Sequence, residues 1–467
     1  MSIDSLPAQP HTNPAGIPAQ VARMRRSFDA GRTRPLEWRT EQLRALEAMC
    51  SEEADDFIEA LRADFGKPPI EALAADVAQG KQEAAAARKK LGKWTRPERV
   101  GAIPGIGRSY VHREPLGVVL IISPWNYPVG LLLSPLAGAI AAGNTAVLKP
   151  SEVTPHVSAA LARHVARYLD PEAITLVEGG VEETSALLAE RFDHIFYTGG
   201  GTVGRIVMEA AAKNLTPVTL ELGGKSPCLV DREVDLKTTA RRIAWGKFLN
   251  AGQTCIAPDY VLVHRDREEE LVRELEAAAR DFYGADPKRS ADYARIVDRR
   301  HHERLSKLLG DGEVAFGGET DPETNYLAPT VLRHVSPESP VMQQEIFGPI
   351  LPVLPVADLA EAIDFVNERD KPLALYVFSE DEAAQDRVLA ETSSGGACVN
   401  GTVMHIMDAR VPFGGVGPSG MGAYHGRHSF ETFSHRKAVL RRGFRFDPKM
   451  LYPPYSERKR RILQRFL

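Results

Sequence analysis

Between Pro115 and Leu148 the chain carries no charged residue. So long an apolar run must be hidden from water, either across a bilayer or inside a folded domain. Its punctuation decides between them. Pro124, Pro128 and Pro135, with Asn126 and Gly143-Asn144, divide it into a strand, a loop, a helix and a second strand. Parallel strands covered on both faces read as continuous apolar runs, so the expectation is a buried βαβ unit.

The same alternation continues on both sides. Residues 20–64 and 70–95 have helical periodicity, with Phe65-GKPP as the break, and Pro104-GIG opens a β-rich arm through Ser109-YVHREP. Strand-like runs then alternate with helical ones from Val118-VLIIS to Pro217-VTLEL. A second such series runs from Ser226-PCLVD to about residue 400, through Tyr260-VLVH, Leu351-PVLPV and Leu373-ALYVFS. This pattern predicts an α/β fold of two doubly wound α/β domains plus a small β element. Residues 1–19 read as a flexible leader without the apolar core of a signal peptide.

The formal charge of −4 argues against a polyanion, hence nucleic acid, as partner. Cys50, Cys228, Cys255 and Cys398 are widely spaced with no C-x-x-C pair. That suggests neither a disulfide framework nor a metal site, and points to a reducing, cytoplasmic compartment.

Two segments carry chemistry. Cys255 sits among small uncharged residues in GQTCIA, where a substrate can approach closely. A free thiol, with a pKa of about 8.5, is only a few per cent thiolate at neutral pH, yet it is a strong nucleophile. Glu221 precedes Gly223 and Gly224 in ELGGKSP and is the kind of carboxylate that activates water. Nucleophile and base are the two halves of an acyl-transfer cycle. The alternative for Cys255 is a small buried hydrophobe. After the run His194-IFYT, Gly199-GGTVGR opens a helical pattern, so Gly199 and Gly204 fit a G-x-G-x-x-G loop that leaves helix N–H groups free for phosphate. The spacing rule for such loops would make Glu221 a ribose ligand, in conflict with its role as base.

GQTC and ELGGKSP together resemble the aldehyde dehydrogenase superfamily, and the resemblance runs from about residue 20 to about 455. Pro412-FGGVGPSGMGAYHGRHSFETFSHRK and Leu451-YPPYS are similar to the class 3 branch, which includes fatty-aldehyde and aromatic-aldehyde dehydrogenases. The resemblance implies catalysis by Cys255, Glu221 and Asn126, with the Asn126 amide and the Cys255 N–H holding the oxyanion. It resolves the conflict over Glu221 by giving the ribose to Lys149 and Glu152 of the KPSE motif. Glu345 is implied to grip the nicotinamide ribose, with Phe347 and Trp125 near the ring. The cofactor implied is NAD, because Glu152 would repel a 2′-phosphate, with NADP open. The division of roles between Glu221 and Glu345 stays open, with the base assigned to Glu221.

By analogy, Tyr127, Leu131, Trp245, Leu249 and His405 line an access tunnel for medium or long aliphatic, or aromatic, aldehydes. Trp245 and Leu249, one helical turn apart, could equally be core. The implied organisation is a dinucleotide-binding domain from 20–100 and 115–220 and a cysteine-bearing domain from 221–410. Segments 101–114 and 411–445 would form the arm of a homodimer, followed by a basic tail over 446–467. Arg458, Lys459, Arg460, Arg461 and Arg465 alternate there with Ile462, Leu463, Phe466 and Leu467, a pattern suited to an anionic membrane surface or to a solvated end. A catalytically silent scaffold and a cysteine-dependent esterase are the competing readings.

Overall fold

The charge-free run forms the strand Val118–Ile122, the helix Gly130–Ala142 and the strand Thr145–Lys149, and every residue of all three is buried. The structure is a computed structural model that describes residues 12–103, 107–445 and 447–465. Pro135 lies within the helix without ending it. The hydrogen bond it removes is offset by packing on all sides, which an exposed helix would lack. The helix stops at Gly143, where Asn144 turns the chain. Asn144 accepts from Gly117 N (2.9 Å) and donates to the carbonyls of Ala139 (3.2 Å) and Phe433 (3.0 Å).

Six strands form the first sheet. Edge to edge they are Gly420–Met421, Val218–Glu221, His194–Thr198, Val118–Ile122, Thr145–Lys149 and Ile174–Leu176. All neighbours are parallel except the first pair, in which Gly420 lies opposite Glu221. Successive side chains of Val118–Ile122 enter different cores, because a strand alternates its faces. Val119 and Ile121 join the large core; Val118, Leu120 and Ile122 pack with Ile17, Val21 and Met24 of the helix Ile17–Asp29. That helix begins inside the expected leader. Residues 1–11 of the leader lie outside the described residues, but Thr12 donates to Glu178 O and accepts from Glu178 N, both at 3.0 Å.

The second sheet has seven strands: Glu313–Phe316, Thr330–Arg333, Ile350–Val356, Tyr260–His264, Pro227–Val230, Ala374–Phe378 and Gly396–Val399. Only its first pair is antiparallel. A third, antiparallel sheet joins Glu98–Ile103, Gly107–Pro115 and Ser434–Arg441, so segments far apart in sequence meet along Pro115↔Ser434 to Arg108↔Arg441. Residues 104–106, where the sequence places the opening of the arm, are outside the described residues. Within 411–445, Gly420–Met421 leaves this arm and closes the edge of the first sheet beside Glu221. Among the described residues no helix is long and apolar enough to cross a membrane.

Replacing Asn144 by Ala removes three hydrogen bonds and strands the buried Gly117 N–H and Phe433 carbonyl. The expected cost is about 2–4 kcal/mol, read as a lowered midpoint in chemical denaturation. An unchanged midpoint would show that this turn does not tie the sheets together.

Candidate functional site

In the first sheet the chain order reverses between Val118–Ile122 and His194–Thr198, which run parallel with Ile122 beside Tyr197. Loops leaving the carboxyl ends of such neighbours diverge and open a crevice. Here the crevice is a cavity of about 610 Å³ walled by Trp125 and Asn126 from one loop, Gly199 and Gly200 from the other, and Glu345 and Phe347 from the second sheet. On the far side is a second chamber of about 360 Å³, walled by Tyr127, Leu131, Trp245 and Leu249. Cys255, Glu221 and Leu131 line both. The thiol therefore sits in a neck between two chambers.

The backbone that brings it there is unusual. Asn250, Ala251 and Gly252 all have positive φ (53°, 51° and 74°). Two non-glycine residues in the left-handed region cost free energy, which the surroundings must offset. Gly252 is obligatory, since a Cβ there would stand 2.2 Å from Gly348 O. Gln253 clamps the segment: its Nε2 donates to Asn250 O and Arg295 O, and its Oε1 accepts from Val297 N, all at 2.9 Å. Asn126 faces this clamp, donating through Nδ2 to Gln253 O at 3.0 Å.

Three acidic groups meet at the neck. Glu221 is buried, and neither of its carboxylate oxygens has a partner among the described residues. Burial alone pushes its pKa well above the ordinary carboxylate value. Glu345 lies over Gly223, where a Cβ would stand 2.1 Å from its Oε2, so glycine at 223 makes room for the carboxylate. Burial, and then Asp259, raise Glu345 to about 8, against the Gly224 N–H, Lys225 and Arg304. Cys255 does not keep the ordinary thiol pKa expected from the sequence. Burial, then Glu345, then Glu221 push it up to about 12, against the backbone N–H groups of Cys255 and Ile256. Every charge at the neck is thus resisted by burial.

The expected cofactor residues fall into two groups. Trp125, Gly199, Glu345 and Phe347 wall the larger cavity. Trp125 and Phe347 meet edge to face at 5.3 Å, and Phe347 has φ 51°. Gly204 and the Lys149–Glu152 pair lie outside that wall. Gly204 packs against Leu222 in the helix Gly201–Ala212, whose first turn has no side-chain cap. Lys149 is buried, 3.6 Å from Glu152, at the end of the strand next to Val118–Ile122. An open cleft, uncapped helix N–H groups, a buried amine and an unpartnered Glu345 Oε1 fit a dinucleotide.

Four of the five expected substrate residues wall the smaller chamber. Trp245, 38% exposed, stands at its rim and is not core. His405 is the exception. It stacks on Phe413 at 6.2 Å while its neighbours Ile406 and Met407 reach the chamber, and burial lowers it to about 4. Sequence reasoning missed Glu71, Glu83, Phe413, Tyr424 and His425. Glu71 and Glu83 belong to the helical segment after Pro69 and line the chamber with Ala75 and Gln79 in steps of four, a signal that could have grouped them but not aimed them. The others come from the glycine-rich run and its flank, which close the chamber instead of binding phosphate.

Residues 6–439 match the Aldehyde dehydrogenase family. This chain belongs to the aldehyde dehydrogenase family. It is 50% identical over 444 residues to aldehyde dehydrogenase family 3 member A2 of Rattus norvegicus, spanning 94% of this chain and 92% of that protein. It is 49% identical to the rat aldehyde dehydrogenase described as dimeric and NADP-preferring, across 94% of this chain and 98% of that one. The fold superposes on the substrate-bound state of Staphylococcus aureus AldH with TM-score 0.94 and 44% identity, covering 97% of this chain and 99% of that one. The chain is an oxidoreductase of family 3 type, and NAD(P)-dependent aldehyde oxidation is the activity this membership carries.

Because the Glu345 carboxylate raises the thiol only when ionised, Glu345→Gln should speed iodoacetamide alkylation of Cys255 above a pH of about 8 and change little below it. A pH series of inactivation rates reads this; superimposable profiles for the two proteins would refute the coupling.

Proposed function

We propose that this chain oxidises medium- or long-chain aliphatic, or aromatic, aldehydes to carboxylates through a thiohemiacetal and a thioester on Cys255. The observation that carries this reading is the placement of Cys255 and Glu221 on the shared wall of two chambers, one large and cleft-like, one mainly apolar. The dinucleotide occupies the first and the aldehyde the second. The Gly199–Gly204 loop holds the diphosphate, Lys149 and Glu152 one ribose and Glu345 the other, with Trp125 and Phe347 against the ring. NAD is the expected cofactor. A Mycobacterium tuberculosis aldehyde dehydrogenase complexed with NAD+, 30% identical at TM-score 0.85 over 93% of this chain and 91% of that one, is in keeping with NAD, and the NADP-preferring relative with NADP as well.

The Cys255 thiol loses its proton to solvent water, the thiolate attacks the carbonyl carbon, and the new C–S bond moves the carbonyl electron pair onto oxygen. Asn126 Nδ2 and the Cys255 N–H donate to that oxygen. NAD(P)+, when bound, supplies the acceptor for the hydride whose loss makes the thioester. Glu221, with no partner on either oxygen among the described residues, takes a proton from water, which adds to the thioester carbon; the sulfur leaves and the carboxylate is released. Its raised pKa makes ionisation of Glu221 favour this last step as pH rises. The chain's similarity to dehydrogenases favours this reading over a silent scaffold or an esterase.

Residues 20–100 and 115–220 serve as the dinucleotide-binding domain and 221–410 as the cysteine-bearing one. The strands around 101–114 and 411–445 serve as the arm of a homodimer, which the dimeric relative supports. The helix Glu457–Leu463 and Arg465 give the tail a basic surface that contacts anionic membranes weakly. Phe466 and Leu467 lie outside the described residues.

Cys255→Ala should abolish reduced-dinucleotide formation with a panel of aldehydes. Asn126→Ala should lower kcat by roughly 10²–10³, and Glu221→Gln should keep a pre-steady-state burst while turnover stalls at the thioester. A full burst followed by stalling in Glu345→Gln, with Glu221→Gln turning over, would exchange the two roles. Activity in Cys255→Ala would sink the mechanism. Co-sedimentation with phosphatidylserine vesicles at low salt should fall when 457–467 is deleted, and equal binding by both proteins would remove the membrane role.

A further inference from the structure

Behind the Asn126 loop lie two charged side chains that the mechanism does not use. Lys67 and Asp76, each 0% exposed, form an ion pair at 3.1 Å. Lys67 comes from the Phe65-GKPP break and Asp76 from the π turn Leu73–Val77, which sits in the helical wall of the aldehyde chamber. The lysine donates to the backbone oxygen of Asn126 at 3.0 Å and stands 3.8 Å from the centre of the Tyr127 ring. The other carboxylate oxygen of Asp76 accepts from Gly130 N at 2.6 Å. One ion pair therefore grips both ends of the loop that presents Asn126 and Tyr127.

The opposite side of the loop is held by the cysteine segment. Asn126 Nδ2 reaches Gln253 O, and Asn250 Nδ2 bridges Asn126 O and Gln253 O at 3.1 Å each. Asn126 O thus accepts from Lys67 on one side and Asn250 on the other. A fully buried ion pair is a poor source of stability compared with apolar packing, and its best use is to fix a geometry. An oxyanion donor needs such fixing, because its value depends on where it stands before the charge develops.

We propose that Lys67 and Asp76 are positioning residues for the reaction: they set the place of Asn126 relative to Cys255 without touching substrate. This rests on the assignment of Asn126 as oxyanion donor. The test is a double-mutant cycle in the full-length enzyme. The neutral pair Lys67→Met with Asp76→Asn should lower kcat by roughly 10- to 100-fold, the scale of a misplaced reacting group. Dinucleotide affinity and the Cys255 alkylation rate should stay within twofold, since neither depends on the oxyanion donor. In the Asn126→Ala background the same replacements should cost less than twofold. Asp76→Asn alone, which keeps an acceptor for Gly130 N, covers the case in which the paired variant does not fold; it should show a smaller loss that also vanishes with Asn126→Ala. An undiminished loss in that background, or an unchanged kcat in the folded variants, overturns the proposal. If Asn126→Ala itself leaves kcat intact, it is the oxyanion assignment that fails.

Discussion

The whole site depends on one conformational constraint, the left-handed run Asn250–Ala251–Gly252. It carries Cys255 into the neck, where Glu221 at the end of a strand and Leu131 on a helix also face both cavities. The reversal is held by the Gln253 amide, which has a partner at each of its donor and acceptor sites used in the fold, and by the close pass of Gly252 under Gly348. The free energy stored in two non-glycine residues at positive φ is therefore offset by hydrogen bonds a few residues away. Cys255 inherits its position from these neighbours.

The same geometry sets the electrostatics. Cys255, Glu221 and Glu345 come from three separate segments, and none has a cation beside it strong enough to stabilise its charge against burial. A site of this kind favours the neutral thiol and carboxyl groups as long as its surroundings stay unchanged.

Much of this was legible in the sequence, and what was not has a common physical cause. The uncharged stretch 115–148 reads directly as strand, helix and strand, because burial on all sides leaves an apolar signature that no surface element has. Cys255, Glu221 and Asn126 were readable from short motifs whose glycine and asparagine content reports special backbone. Pro135 is tolerated inside that helix because its local penalty is outweighed by packing that the folded neighbours provide. His405 was one residue out of register in a 3₁₀ turn, where facing is not set by a regular period. The raised Cys255 pKa was invisible, since its causes are burial and then carboxylates 90 and 34 positions away, all of which only folding supplies. Glu71, Glu83, Tyr424 and His425 escaped for the same reason: the chamber wall is made by chain ends meeting.

That meeting has a consequence for biosynthesis. The strand Val218–Glu221 obtains its outer neighbour from Gly420–Met421. A nascent chain emerging from the ribosome can assemble five parallel strands early, but the edge next to Glu221 stays bare until Gly420, 199 positions later, has emerged. During that interval the growing polypeptide exposes an unpaired strand, a natural docking template for chaperones and a point at which premature release would yield an adhesive fragment instead of an enzyme.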